Sequence, residues 1–391
     1  MLLLLVPVAL ATIVGLIALW PSGEPTQAEQ VAQTYFPPGT TYPDAEVVSV
    51  ETFDCSTDPA VPTECANVVV EVLEGEGAGD FQQIELEGSV VAAGVAEGDV
   101  LVLTRDAGAE GGVTYGFYDY ERDTPIIVLA ITFAVVVGLV ARLRGLAALL
   151  GLTFAFGVLL TFVLPGLLSE NSPTLVSLVG SSAIMFVVLY LAHGFSARTT
   201  TALVGTLFGL TLVAVLGSVA VSTARLTGLT SEEANTLHTY DPTLSFSGLV
   251  LAGIVVAGLG VLNDVTITQA SAIWQLNEVS PDITWRELYN RGMAVGRDHI
   301  ASTVYTIVFA YAGAALPLLL LFEVYPTPVW TLITSSALAE EVIRTLVGAI
   351  ALVLAVPVTT AAGAFFAKAA NTEAGAATER RMTALKARFA G

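Results

Sequence analysis

Apolar stretches long enough to cross a lipid bilayer recur along the chain, and they constrain its fold more than any other feature. A spanning helix needs about 20 mostly apolar residues. The mean hydropathy of +0.75 and the 13 % of charged residues exclude a soluble cytoplasmic enzyme. We therefore predict a polytopic α-helical membrane protein with about eight crossings: Leu2–Trp20, Pro125–Val140, Leu146–Leu167, Leu175–His193, Thr200–Ser222, Leu249–Trp274, Ile300–Leu321 and Ile343–Phe366.

Two of the apolar stretches have further interpretations. The first, Leu2–Trp20, could be a cleaved signal peptide, but no basic residue precedes it and it lacks an Ala-x-Ala cleavage sequence. A membrane anchor is therefore favoured. The stretch Val329–Ala339 is too short to span, which predicts a re-entrant segment or one that lies in the membrane interface.

One segment carries nearly all of the net charge. Between Pro21 and Asp123 there are 21 acidic residues and two basic ones, in a chain whose formal net charge is −20. This acidic balance argues against nucleic acid as a partner, because phosphates require a basic surface. It favours a soluble domain that faces cations or a saline exterior.

The basic residues predict the orientation in the membrane. Of 15 Lys and Arg, 11 fall on one side of the predicted crossings, which is typical of the cytoplasmic side. Only Arg105, Arg122 and Arg225 fall on the other side. We therefore predict a multi-pass protein of the bacterial plasma membrane, with both termini in the cytoplasm and residues 23–123 outside.

The acidic segment has the alternation of a small all-β domain. Five short strands separated by Gly-rich turns fit an OB-like barrel, and a generic five-stranded sandwich fits nearly as well. Cys55 and Cys65 lack the spacing of metal ligands, so an oxidising exterior predicts a disulfide between them. The predicted organisation is a helix at 1–22, a linker at 23–44, the β domain at 45–120, a seven-helix membrane domain at 121–370 and a basic tail at 371–391.

Polar residues inside the sixth predicted crossing need a physical reason. An ionisable group costs about 2.5–3.5 kcal/mol at the centre of a spanning helix. Hydroxyl residues alone would satisfy a hydrogen-bonded seam between helices, whereas an aspartate exceeds what such a seam needs. At 100° per residue one face collects Asp264, Thr268, Ser271 and Gln275, with Asn263 beside it.

The seventh and eighth crossings carry further candidates. Asp298, at the start of its helix, either complements the helix dipole or has a function, and His299 is either solvated or functional. Glu340 and Arg344 have the spacing of an ion pair one turn apart, which either joins a broken helix or forms a partly buried site. The remaining candidate ligands of a substrate or ion are Ser302, Thr303, Glu341, Thr359 and Thr360, the last two close to the carbonyl that Pro357 leaves free.

The sequence lacks the motifs of a soluble enzyme, including the P-loop, GxGxxG, HExxH and GxSxG. An intramembrane aspartyl hydrolase would need two facing aspartates. Asp264 and Asp298 could meet, but the Gly-x-Gly-Asp pattern is interrupted between Gly258 and Asp264. We therefore predict no enzymatic activity and no cofactor beyond a proton or a monovalent or divalent cation.

Four runs of the membrane region resemble a known family. They are GVLNDVTITQAS at 260–271, GRDHIASTV at 296–304, EEVIRTLVG at 340–348 and LAVPVTT at 354–360. In their order and across residues 120–370 they are similar to the YibE/F family of bacterial multi-spanning membrane proteins. The resemblance implies an extracytoplasmic β module and a role in transport.

Two functions follow as hypotheses. The first is a secondary transporter, an exporter coupled to protons or cations, in which Asp264 carries the ion and Glu340, Glu341 and Arg344 form an outer gate. The second is an envelope interaction or assembly protein whose β domain binds a partner. The expected partners are the bilayer and an unidentified small solute or ion, and a homo-oligomer is left open.

Overall fold

The computed structural model describes residues 2–35, 39–57, 60–107, 112–324 and 327–370. The chain divides into two compact units. Unit 1 comprises Met1–Ala28 and Gly138–Gly391, and unit 2 comprises Glu29–Val137. The predicted basic tail, 371–391, lies outside the described residues.

Unit 2 contains a five-stranded antiparallel sheet. Its elements are α2 (Gln27–Tyr35), β1 (Asp44–Asp54), β2 (Glu64–Val72), β3 (Phe81–Leu86), α3 (Gly88–Val91), β4 (Val100–Ala107) and β5 (Val113–Tyr120). The strand order is β3-β2-β1-β4-β5, and β3 also contacts β5. Strand β1 pairs with β2 along most of its length and with β4 at its start, and the register of the β1–β2 pairing shifts between Val47 and Ser49.

The core of unit 2 follows the predicted alternation. In β2, Val68, Val70 and Val72 are buried and the residues between them are half-buried, because side chains of a strand point alternately to its two faces. The predicted disulfide between Cys55 and Cys65 is confirmed, and it ties the end of β1 to the start of β2. Closing so short a loop stabilises a fold by about 2–3 kcal/mol.

Unit 1 is helical. Its elements are α1 (Leu2–Ala18), α4 (Asp123–Val158, which begins in unit 2), a π turn (Leu159–Val163), α5 (Leu164–Leu167), α6 (Pro173–His193), α7 (Ala197–Thr223), α8 (Glu232–Tyr240), α9 (Phe246–Val279), α10 (Trp285–Ala314), α11 (Leu316–Val324), α12 (Val329–Ile333) and α13 (Ser336–Ala370). The centre is formed by α7, α9 and α13, which pack against one another. Helices α6 and α10 pack against α9 from outside this centre. Glycines permit this close packing: a Cβ on Gly217 of α7 would lie only 2.7 Å from Leu251 Cδ1 of α9.

Five stretches of the described chain are long and apolar enough to cross a membrane, which indicates a membrane protein. They are Asp123–Leu167, Pro173–His193, Ala197–Thr223, Phe246–Val279 and Ser336–Ala369. The first covers two predicted crossings, and its regular helix is interrupted at Arg142, whose φ is 55°. The count of about eight crossings stays a prediction.

The seventh predicted crossing, Ile300–Leu321, is wrong in its bounds. Helix α10 begins 15 residues earlier, at Trp285, and ends at Ala314, before the short α11. Its first half is amphipathic, with Leu288 buried and charged residues exposed, so a search for apolar length overlooks it. The short stretch Val329–Ala339 contains the five-residue α12 and the start of α13.

Candidate functional site

The predicted polar stripe of α9 exists as one face, and most of its polar side chains are exposed. Asp264, about half-way along the 34-residue helix, is exposed on the surface of unit 1. Its stripe neighbours Thr268 and Gln275 are also exposed, and Ser271 is half-buried. Asp264 is therefore not buried in the helical bundle of the single chain.

Asp264 has no hydrogen bond or ion pair with any other described residue. Its neighbour Asn263 is half-buried, and the Asn263 Oδ1 atom is buried without a hydrogen-bond partner in the described part of the chain. Both groups are therefore free to bind something that the single chain does not supply.

The opposite face of α9 carries a polar seam that the sequence analysis missed. Gln269 is buried, and its Nε2 donates hydrogen bonds to the Gly292 carbonyl of α10 (2.9 Å) and to Thr360 Oγ1 of α13 (2.7 Å). The hydroxyls of Thr206 and Thr266 join α7 to α9 at 2.6 Å. These bonds fix three helices around α9, which is a structural role.

The predicted threonines of α13 belong to this seam. Thr359 and Thr360 are fully buried and donate to the carbonyls of Ala355 and Val356, each at 2.7 Å. They therefore do not satisfy the carbonyl one turn before Pro357. Because both hydroxyl protons are used within the helix, these residues do not line an open path in the single chain.

The candidates on α10 divide between satisfied and free groups. Thr303 Oγ1 donates to the His299 carbonyl at 2.9 Å, within its own helix. Asp298 does not start its helix as predicted, because α10 begins at Trp285, so the N-terminal helix dipole does not account for it. The side chains of Asp298 and Ser302 are exposed and have no side-chain partner among the described residues. His299 is half-buried, and its Nε2 is buried without a hydrogen-bond partner in the described chain.

The acidic residues of α13 do not pair as their spacing predicted. Arg344 forms its ion pair with Glu341, at 3.2 Å, and not with Glu340. Glu340 is buried and accepts hydrogen bonds from the Gly228 N–H (3.2 Å) and from Thr230 Oγ1 (3.0 Å). Gly228 and Thr230 belong to the loop between α7 and α8, and their two donors take the place that Arg344 was predicted to have. Glu340 therefore holds this loop on α13.

The stripe on α9 continues to this ion pair. Arg344 Nη2 lies 3.9 Å from the position that a Cβ would occupy on Gly253. Gly253 is 11 residues before Asp264, which places both on one face of the helix. The face of α9 that carries Asp264 therefore begins beside Arg344, and its polar side chains extend from Asp264 to Gln275. We call the surface formed by Gly253, Gly260, Asp264, Thr268, Ser271 and Gln275 the α9 stripe.

The helices that carry these residues match a family model described as YibE/F-like protein, over residues 129–369. The chain belongs to the YibE/F-like family. Neither the comparison with curated proteins nor that with solved structures found a match.

The family region contains the whole α9 stripe of this YibE/F-like protein, and the β sheet lies outside it. Within the part of the chain that the structure describes, no three His, Cys, Asp or Glu side chains come together as a metal site. The stripe therefore offers one carboxylate flanked by neutral donors and acceptors.

The sheet of this YibE/F-like chain has its own polar pattern. The Arg122 guanidinium beside Asp119 lowers the pKa of that carboxyl, and burial with nearby acids raises the pKa of Asp44. Tyr42 and Tyr118 are exposed and meet edge to face, with ring centroids 4.9 Å apart. Phe81 is also exposed, whereas Tyr115 and Phe117 pack against the core.

Proposed function

We propose that this protein is a secondary transporter, an exporter in which Asp264 binds a coupling proton or cation. The observation that carries the proposal is that Asp264 lies near the middle of an apolar helix and has no partner among the described residues. Glu340 and Glu341, by contrast, are already bound by donors or by a guanidinium. An ionisable residue at membrane depth is by default a candidate functional site.

In this proposal the transported ion or solute moves along the α9 stripe. Asn263, Thr268, Ser271 and Gln275 line it, and the Glu341–Arg344 pair gates its outer end. Asp298 and Ser302 of α10 offer further exposed oxygen atoms. Gly260 leaves space beside the helix for a solute or a neighbouring surface.

The topology belongs to the same proposal. We infer eight crossings, with α4 crossing separately on either side of Arg142, because 45 helical residues would extend about 67 Å across a hydrocarbon core of about 30 Å. The Cys55–Cys65 disulfide supports an extracytoplasmic sheet domain. The strand order, the contact between β3 and β5 and the helix between β3 and β4 support an OB-like barrel.

Proteoliposomes that contain a trapped pH dye test the proposal. Outward gradients of Na⁺, K⁺ or Mg²⁺ are imposed in turn, and we expect at least one to drive proton movement in the wild type. Asp264→Asn should reduce this flux at least tenfold, because the amide cannot exchange a proton. Glu278→Gln, on the exposed last turn of α9, is the matched control and should retain the flux. Wild-type flux in Asp264→Asn would contradict the proposal.

The second candidate function is an envelope interaction protein, and the exposed Tyr42–Tyr118 pair favours it. Exposed aromatic residues are enriched where proteins bind partners. Under this alternative, replacing both tyrosines with serine abolishes complementation of a strain that lacks the gene, while Asp264→Asn preserves it. The transporter proposal requires the reverse.

A further inference from the structure

A cleft lies where α7 ends and α9 begins. Its volume is about 410 Å³, and it is open, because its polar lining residues are all exposed. No acidic residue lines it. Its polar lining consists of Ser218, Ser222, Arg225, Ser245 and Ser247.

Arg225 occupies a backbone position that normally belongs to glycine. Its φ is 52°, and the Leu226 N–H donates to the Val221 carbonyl at 3.0 Å, which closes the C-terminus of α7. A left-handed conformation costs a residue with a Cβ about 1–2 kcal/mol. The chain thus has an arginine where helix termination alone favours glycine, and this side chain lines the cleft.

Among the three arginines that the sequence assigns to the outside, Arg225 is the one without a partner in the described chain. Of the other two, Arg105 is bound to Glu76 at 2.9 Å and Arg122 to Asp119 at 2.7 Å. Arg225 has neither an ion pair nor a hydrogen bond from its side chain to the described chain.

We propose that this cleft binds a phosphate-bearing anion through Arg225. The planar guanidinium donates paired hydrogen bonds to phosphate oxygens, and the hydroxyls of Ser218, Ser222 and Ser247 add neutral donors. The cleft is larger than a bare phosphate requires, so the ligand is a phosphate ester. Its source is either a lipid headgroup or a phosphorylated solute.

The test uses the full chain in detergent at 150 mM salt. Thermal unfolding and native mass spectrometry are recorded with glycerol 3-phosphate, with phosphatidylglycerol and with uncharged diacylglycerol. We expect one or both of the phosphate compounds to bind and to raise the melting temperature, whereas diacylglycerol has no effect. A response to the soluble ester identifies a solute site, and a response to phosphatidylglycerol alone identifies a headgroup site.

Arg225→Gly separates binding from folding. Because glycine accepts a positive φ, this variant should melt at the wild-type temperature or higher without ligand, yet lose at least tenfold in affinity. Arg122→Gln, which removes another outer arginine, should bind as the wild type does. The proposal is overturned if Arg225→Gly responds like the wild type, or if no phosphate compound affects the wild type.

Discussion

Gln269 and Gln275 lie on the same helix, yet the structure gives them different roles. The amide of Gln269 is buried and donates two hydrogen bonds, whereas Gln275 is exposed on the α9 stripe. Gln269→Leu preserves the approximate volume but leaves the Gly292 carbonyl without this donor. We expect the free energy of unfolding to fall by about 1–2 kcal/mol.

Unfolding by denaturing detergent, followed by tryptophan fluorescence, measures this change. Asn290→Leu, at an exposed amide on α10, is the control, and its free energy of unfolding should stay within about 0.5 kcal/mol of the wild type. Equal effects of the two substitutions would show that the buried seam does not hold α9, α10 and α13 together.

The sequence predicts which residues of α9 share the face of the α9 stripe, but it does not predict whether that face is buried or exposed. Periodicity places Asp264, Thr268 and Ser271 on one face, and the structure has them there. The buried seam uses the same residue types, in Thr266 and Gln269. Because the helix has polar and apolar residues on both faces, composition does not show which face meets the bundle.

At the scale of the helices, the approach of α10 to α9 depends on a missing side chain. A Cβ on Gly292 would overlap Ile273 Cδ1. Gly292→Ala should therefore lower the free energy of unfolding by about 1–3 kcal/mol. Ile273→Val removes that Cδ1 atom, so the double variant should recover part of the loss in the same unfolding assay.

Gly313, also on α10, provides the control for this prediction, because no described atom lies within 4 Å of the position of its Cβ. Gly313→Ala should be neutral or stabilise the helix by up to about 1 kcal/mol. If Gly313→Ala is as harmful as Gly292→Ala, the loss arises from the glycines themselves and not from the contact between the helices.

The elements differ in how well their sequences predict them. All five strands are confirmed, because alternation with Gly-rich turns is a local signal. The start of α10 was predicted wrongly, since apolar length marks only the part of a helix that resembles a crossing. A capping signal was present: Thr284 precedes α10, and its side chain accepts a hydrogen bond from the Glu287 N–H.

For the molecule as a whole, the exposed α9 stripe poses an energetic problem. Asp264 facing lipid would cost about 2.5–3.5 kcal/mol, and its polar neighbours add to that cost. A second copy of the chain would remove the cost, since Thr268, Ser271 and Gln275 each donate and accept hydrogen bonds and can pair with the same residues of a partner. The open space beside Gly260 permits close approach. We therefore expect a homodimer that meets along the α9 stripe.

Cysteine cross-linking in membranes tests this dimer, because both native cysteines are held in the Cys55–Cys65 disulfide. Thr268→Cys should give a cross-linked dimer on a non-reducing gel. Val215→Cys, exposed on α7, is the control and should stay monomeric, because α7 does not carry the stripe. If Val215→Cys cross-links equally well, collision explains both products. Asp264 would then face lipid, and the flux assay alone would decide whether it carries an ion.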